Sequence, residues 1–249
     1  MKPKCSWTPW AMAAAVGLVA VVMIGSSASA ATIFWTDWTS ATFGQQTGTA
    51  AGIITLPGPS SVELSYGGEV FNTTILSNTY PSWGPAVPTF SGGTVGNPPN
   101  IKDIIALTGG SGTGTNTLTF SGPVVDPVMA IWSLGCDARN CAAAVSASFV
   151  FLPTEPFTIE SGGPSTEFGG STITASGSIV SGVEGNGTVQ FHGTFSQLVW
   201  TNPQFENYYG FQIGIAGAGS AAVPEPGSLA LFASGFAGLA GLAWRRHRQ

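Results

Sequence analysis

Tyr208-Tyr209-Gly210-Phe211-Gln212-Ile213-Gly214-Ile215-Ala216 carries the plainest secondary-structure signal in the chain. Tyr209, Phe211, Ile213 and Ile215 alternate with Tyr208, Gly210, Gln212 and Gly214, the period of two that a strand with one buried face requires. Val145, Ala147, Phe149 and Phe151 repeat the pattern, and the apolar run from Pro127 to Leu134 suits a central strand. Val62, Leu64 and Tyr66 lead into Gly67-Gly68 and then Glu69-Val70-Phe71, which reads as a tight hairpin with a primed turn. Further strands are predicted over Thr32 to Trp38, Gly52 to Leu56, Asn116 to Ser121, Phe157 to Glu160, Ser171 to Ser176, Gly187 to His192 and Phe195 to Thr201. Ile101 to Leu107 reads as a strand or one helical turn.

No amphipathic helix and no internal repeat emerges between Ala31 and Ala222. Ten or more short strands divided by Gly, Pro, Asn and Ser predict an all-β fold, an antiparallel β-sandwich of jelly-roll or lectin-like type. Residues 31–222 are long enough for one such domain, since a chain of that size buries roughly 70% of its unfolded surface. Thr79 to Asn100, with Pro81, Pro85, Pro88, Pro98 and Pro99 among glycines, reads as a long surface loop. Gly109 to Thr117 reads as a flexible turn.

Composition narrows the function. Of 249 residues only 8% are charged, against 43% apolar, and fifteen phenylalanines favour a buried core over disorder. Five of the seven basic residues lie at the termini (Lys2, Lys4, Arg245, Arg246 and Arg248). Between Ala31 and Ala222, Lys102 and Arg139 stand against eleven acids, a net charge of −9. A nucleic-acid partner is disfavoured, because phosphate neutralisation needs clustered cations.

The two ends are read separately. Lys2 and Lys4, an apolar run from Trp10 to Ile24 and the small residues Ala28-Ser29-Ala30 predict a secretory signal peptide over residues 1–30, cleaved before Ala31. The alternative is an uncleaved anchor helix. At the other end stand Val223-Pro224-Glu225-Pro226-Gly227-Ser228, an uncharged stretch from Leu229 to Trp244, and Arg245-Arg246-His247-Arg248. A helix over residues 228–244, rising about 1.5 Å per residue, is marginal for a hydrocarbon core of about 30 Å, and snorkelling arginines with Trp244 make up the difference. Basic residues flanking both apolar runs place both ends in the cytoplasm and everything between them outside.

Val-Pro-Glu-Pro, a short Gly/Ala/Leu-rich span and a terminal arginine cluster, over residues 223–249, resemble the PEP-CTERM sorting signal of exported bacterial proteins. The resemblance implies recognition by an exosortase, a membrane cysteine transpeptidase. That enzyme would cut near the motif and pass the protein to the cell surface or extracellular matrix. Val223, Pro224, Glu225 and Pro226 would be the sorting motif, and Arg245, Arg246 and Arg248 the cytoplasmic stop. Two prolines fix φ and remove donors, so the segment stays extended and suits another protein's groove. Ser234, Gly235, Ala237, Gly238 and Gly241 suit close packing against another membrane helix, or reflect the ordinary glycine enrichment of such helices.

Cys5 leaves with the signal peptide, so Cys136 and Cys141, bracketing Asp137-Ala138-Arg139-Asn140, are expected to form a disulfide in an oxidising compartment. A metal site would need two more ligands, and residues 31–222 hold one histidine. No cofactor is expected. His192, beside Phe191, reads as an outward-facing polar residue, and no Gly-x-Ser-x-Gly elbow accompanies it. Glu155, Glu160, Glu167 and Glu184 could supply two glycosidase carboxylates, or ordinary solvated loops and edges.

Among the aromatics, Trp132 and Trp200 sit in core contexts, while Trp35 and Trp38 would project to opposite faces of a strand. Trp83 is the best exposed candidate for a glycan contact, or a pin for its loop. Asn72-Thr73-Thr74 and Asn186-Gly187-Thr188 match the N-glycosylation sequon. The expectation is an exported, non-enzymatic surface or matrix protein with a structural or adhesive role. A carbohydrate-binding module acting on exopolysaccharide is the alternative, and a secreted hydrolase the third reading.

Overall fold

A computed structural model describes residues 30–71, 84–100, 103–110, 112–139, 141–207 and 209–217. The stretch from Tyr209 to Ala216 is a strand inside a seven-stranded sheet, in the order β1 (Ile33–Trp35), β15 (Tyr209–Ala216), β7 (Val128–Leu134), β13 (Gly185–Phe191) and β10 (Ser171–Thr172). Here β5 (Ile105–Leu107) also pairs with β15, and β9 (Phe157–Gly162) with β13. The second sheet has eight strands. Its order is β11 (Thr174–Ser176), β12 (Ile179–Gly182), β8 (Ala147–Phe151), β14 (Thr194–Thr201), β6 (Thr115–Val125), β4 (Ser61–Val70), β3 (Gly44–Thr55) and β2 (Asp37–Thr42). Pairing is antiparallel throughout except for β10 on β13. Among the described residues every regular element is a strand.

Alternating aromatics bind the sheets face to face. Phe211 of β15 meets Tyr66 of β4 at 5.4 Å and Trp200 of β14 at 5.0 Å, ring centre to ring centre. Phe151 of β8 meets Phe191 of β13 edge-on at 5.0 Å. Such pairs add about 0.5–1.5 kcal/mol each beyond the area they bury.

Several sequence expectations change. The β15 strand is buried on both faces, not one, because the chain folds back over the outside of its sheet. A Cβ at Gly210 would come within 2.5 Å of Ile104 Cδ1, and one at Gly214 within 2.8 Å of Trp35 Cε3, so glycines let this cover lie close. Residues 84–100 are therefore not a mere surface loop. Phe90 and Val95 are buried there, and Asn97 pairs with β1 through its side chain, accepting from Ile33 N at 2.7 Å and donating to Ile33 O at 3.0 Å. A side-chain amide thus completes the edge of β1.

The Gly67-Gly68 hairpin does not form. The β4 strand runs straight through both glycines, pairing Gly67 with Thr49 and Gly68 with Gly48, and the real β3–β4 turn lies at Pro57-Gly58-Pro59. Gly68 is needed for space, since a Cβ there would overlap the Asn116 side chain. Trp35 and Trp38 do not share one regular strand: the chain changes sheet between them at Thr36, and both are buried. Ser171 to Ser176 splits into β10 and β11, in different sheets, around buried Ile173. Gly109 to Thr117 is only partly a turn, as β6 begins at Thr115. Ile101 to Leu107 resolves as a strand over Ile105–Leu107.

Candidate functional site

The chain enters and leaves the fold at one place. Ala31 N donates to Thr94 O at 2.8 Å and Gly96 N to Ala31 O at 2.7 Å, so Ala31 is the first of the described residues held by backbone hydrogen bonds. Ala30 is exposed. Two residues on, Ile33 pairs with Ala216 at the end of β15. Ala28, Trp83, Val223 to Pro226, the span 228–244 and Arg245, Arg246 and Arg248 lie outside the described residues. Gly84, next to Trp83, is clamped: its N–H donates to Glu167 Oε1 at 2.5 Å, and its carbonyl accepts from Thr166 Oγ1 at 2.8 Å.

Cys136 and Cys141 are disulfide-bonded, with Cα atoms 6.0 Å apart. Cys136 exchanges two backbone hydrogen bonds with Val145, closing the loop between β7 and β8. Inside it Arg139 pairs with Asp137. Asn207 Nδ2 reaches Cys141 Sγ at 3.3 Å, which joins this loop to the one before β15.

Of the four glutamates, Glu155 and Glu184 are buried and Glu160 and Glu167 half-buried, and each accepts hydrogen bonds from its surroundings. Glu155, 5% exposed, accepts Leu152 N at 2.9 Å and Val199 N at 2.8 Å, and burial pushes its carboxyl above the usual range. Glu167 accepts the Trp132 indole N–H at 3.2 Å in addition to Gly84 N. Buried Glu184 accepts Ser133 Oγ at 2.7 Å.

Glu160 accepts Thr158 Oγ1 at 2.6 Å and Thr94 N at 2.9 Å. Partial burial works to raise its pKa, but these hydrogen bonds and the nearby His192 hold it below the usual carboxylate range. His192 is exposed, its Nε2 2.9 Å from Thr158 Oγ1. Because that hydroxyl gives its one proton to Glu160, His192 Nε2 must be the donor. Among the described residues no three His, Cys, Asp or Glu side chains are grouped to hold a metal.

A buried polar network at the opposite end of β15 went unread in the sequence. Glu69, 1% exposed, accepts Thr108 N at 2.8 Å, Thr108 Oγ1 at 2.5 Å and Gly109 N at 2.9 Å. Asn116 Oδ1 accepts Glu69 N at 2.9 Å, and Asn116 Nδ2 donates to Asn202 Oδ1 at 2.9 Å. Asn202 also takes the Trp200 indole N–H at 3.0 Å and gives to Ser148 O at 3.0 Å. Burial, then the Glu69 charge, holds the Tyr66 phenol well above its ordinary range, so it stays a neutral donor 2.7 Å from Asn116 Oδ1. The network fixes residues 108–110 and 202–204, loops from opposite sheets. Asn186 of the second sequon is fully buried and bonded to Ser133 N and the Glu184 carbonyl, so it is no acceptor for a glycan.

Residues 222–248 match the family model of the PEP-CTERM protein-sorting motif. The tail is a PEP-CTERM sorting signal. No curated protein and no solved structure matches the chain. A PEP-CTERM tail implies an exported protein that an exosortase recognises, with a precursor held at the membrane. The match contains Val223, Pro224, Glu225 and Pro226 as well as Arg245, Arg246 and Arg248. It begins six residues beyond Ala216, a span of at most about 20 Å when fully extended. The tail therefore follows the end of the fold that holds Ala31 and Ala216.

Proposed function

We propose that this chain is a structural or adhesive protein of the cell surface or extracellular matrix. Its exported domain, residues 31–222, is a β-sandwich of jelly-roll or lectin-like type, preceded by a cleaved signal peptide over residues 1–30. Residues 228–244 form the membrane helix of the sorting tail, and exosortase processing at that tail releases the domain to the cell exterior. The PEP-CTERM match carries this reading. Its fit with the fold supports it, because Ala31 and Ala216 leave the domain side by side, within short reach of one membrane surface. The non-enzymatic character draws support from the side chains: Glu155, Glu160, Glu167 and His192 are all engaged in holding backbone or neighbouring groups. Fractionation of producing cells with and without their exosortase tests the reading. The protein should reach the surface or medium only when the enzyme is present, and surface delivery independent of it would defeat the proposal.

A further inference from the structure

One threonine hydroxyl is held against both a glutamine amide and a carboxylate. Thr94 occupies a two-residue turn, Gly93-Thr94, which Gly92 and Val95 close with two backbone hydrogen bonds of 2.9 Å each. The turn lies over the face of the seven-stranded sheet turned away from its partner sheet. Phe191 points inward to Phe151, so Gln190 and His192, its neighbours on β13, point outward. Thr158 of β9 pairs with Gln190 and shares that face. The register then shifts past Glu160, a bulge that brings its carboxylate to the Thr158 hydroxyl and the Thr94 turn.

Thr94 Oγ1 donates to Gln190 Oε1 at 2.9 Å, while Gln190 Nε2 donates to the Asp126 carbonyl at 3.5 Å. A C=O bond is about 1.23 Å, so the Gln190 amide carbon lies within about 4.1 Å of the threonine oxygen. Nucleophilic attack needs about 3–3.5 Å, which small side-chain torsions supply. The Glu160 carboxylate accepts Thr94 N at 2.9 Å and is hydrogen-bonded by the Thr94 side chain as well. Gly93 lets it approach, since a Cβ there would overlap Glu160 Oε2. Held below the usual carboxylate range, Glu160 is ionised at neutral pH and can take a proton. A nucleophile, an acyl group and a base thus meet within hydrogen-bond reach.

We propose that Thr94 and Gln190 become joined by an intramolecular ester, which the domain forms by itself once folded. Thr94 Oγ bonds to Gln190 Cδ while Glu160 takes the hydroxyl proton. As the tetrahedral adduct collapses, the Cδ–Nε2 bond breaks and Glu160 passes the proton to the leaving nitrogen. One ammonia departs, and nothing is oxidised or reduced. Each chain does this once, without turnover. The ester fastens residues 84–100 to β13, and the Thr94 carbonyl extends that hold to Ala31 N. Only the folded domain is required, so the bond and surface delivery stand or fall separately.

Lys102 and Arg139 are the only lysine and arginine between Ala31 and Ala222, so trypsin separates Thr94 from Gln190. The test digests the exported protein after reduction, alkylation and denaturation, and weighs the products. The segment ending at Lys102 and the segment beginning at Asn140 should stay joined, lighter than their sum by one ammonia. Hydroxylamine, which cleaves esters and spares amides, should part them. Thr94→Val and Gln190→Met should each yield separate segments, while Thr94→Ser, which keeps the hydroxyl, should retain the joint. Glu160→Gln should slow joining about a hundredfold or more, in protein that still unfolds cooperatively. Separate segments of full mass from the wild type, a joint that persists in Thr94→Val, or one that resists hydroxylamine would each overturn the ester. Joining at the wild-type rate in Glu160→Gln would overturn the role of that carboxylate.

Discussion

Ile33 and Ala216 pair across β1 and β15, so the segments before and after the fold leave it as neighbours. Cleavage after Ala30 leaves the Ala31 bridge to Thr94 and Gly96 intact, whereas cleavage one residue later would remove it.

From this the mature protein is expected to begin at Ala31 and to lack the segment beyond the Pro-Glu-Pro motif. Intact mass spectrometry of protein from exosortase-competent cells reads both ends at once. Glu225→Ala should leave the precursor in the inner membrane; normal release of that variant would remove Glu225 from recognition.

Adjacent glycines separate two explanations of one dipeptide. A Cβ at Gly67 meets nothing within 4 Å, while one at Gly68 runs into Asn116 and 2.9 Å from its Cα. Gly68→Ala should therefore cost about 1–3 kcal/mol in a denaturant titration, as overpacking does, and Gly67→Ala should be tolerated. Equal tolerance at both positions would contradict a continuous β4.

Glu69 supports two loops with one carboxylate. In Glu69→Gln the amide must present N–H to a neighbouring N–H, leaving a buried donor unsatisfied at a cost of about 1–3 kcal/mol. Amide exchange should locate the loss at Thr108 and Gly109, and a uniform loss of protection would argue against this local anchoring role.

The strands were legible because alternation survives in a single sequence, as Phe149–Phe151 and Phe211–Ile215 illustrate. The second layer over β15 was not legible. Part of its cover is Ile104, about a hundred residues from β15 in sequence, whose side chain a Cβ at Gly210 would meet. Part of the polar network did leave a trace: Asn116 is in phase with Leu118 and Phe120, and Asn202 with Leu198 and Trp200. Two asparagines in inward phase, on strands where Trp200 pairs with Asn116, announce a buried amide pair. Glu69 left no such trace, since alternation past Tyr66 points it outward, and only a loop from elsewhere in the chain covers it. The tail was read from residue order alone, because Pro-Glu-Pro, apolar span and arginines are contiguous.

Removing the bridge between Cys136 and Cys141 should cost little. The loop it closes is short, so the entropy withheld from the unfolded chain is worth about 2 kcal/mol. Cys136→Ser with Cys141→Ser should lower unfolding free energy by that order while the two-sheet fold persists. Complete alkylation of both thiols in native exported protein, without prior reduction, would mean that the bridge does not form in the cell.

Two carboxylates should give opposite slopes of stability against pH. Hydrogen bonds from Thr158 and Thr94, with His192 nearby, outweigh partial burial and lower the pKa of Glu160, so the folded state binds its proton less tightly than the unfolded chain. Its contribution is present above the unfolded glutamate value of about 4.3 and is lost as pH falls through the lower folded pKa. Burial raises the pKa of Glu155 despite the Leu152 and Val199 N–H groups. The folded state there takes up a proton first, and stability rises as pH falls through that higher value. Urea titrations across an acid pH series should show the advantage of wild type over Glu160→Gln shrinking toward low pH. Against Glu155→Gln the wild type should gain as pH falls from neutral toward 4.3. Parallel curves for either pair would sink the assignment for that residue, because a pH-independent loss means that the substitution disturbed packing and left proton linkage untouched.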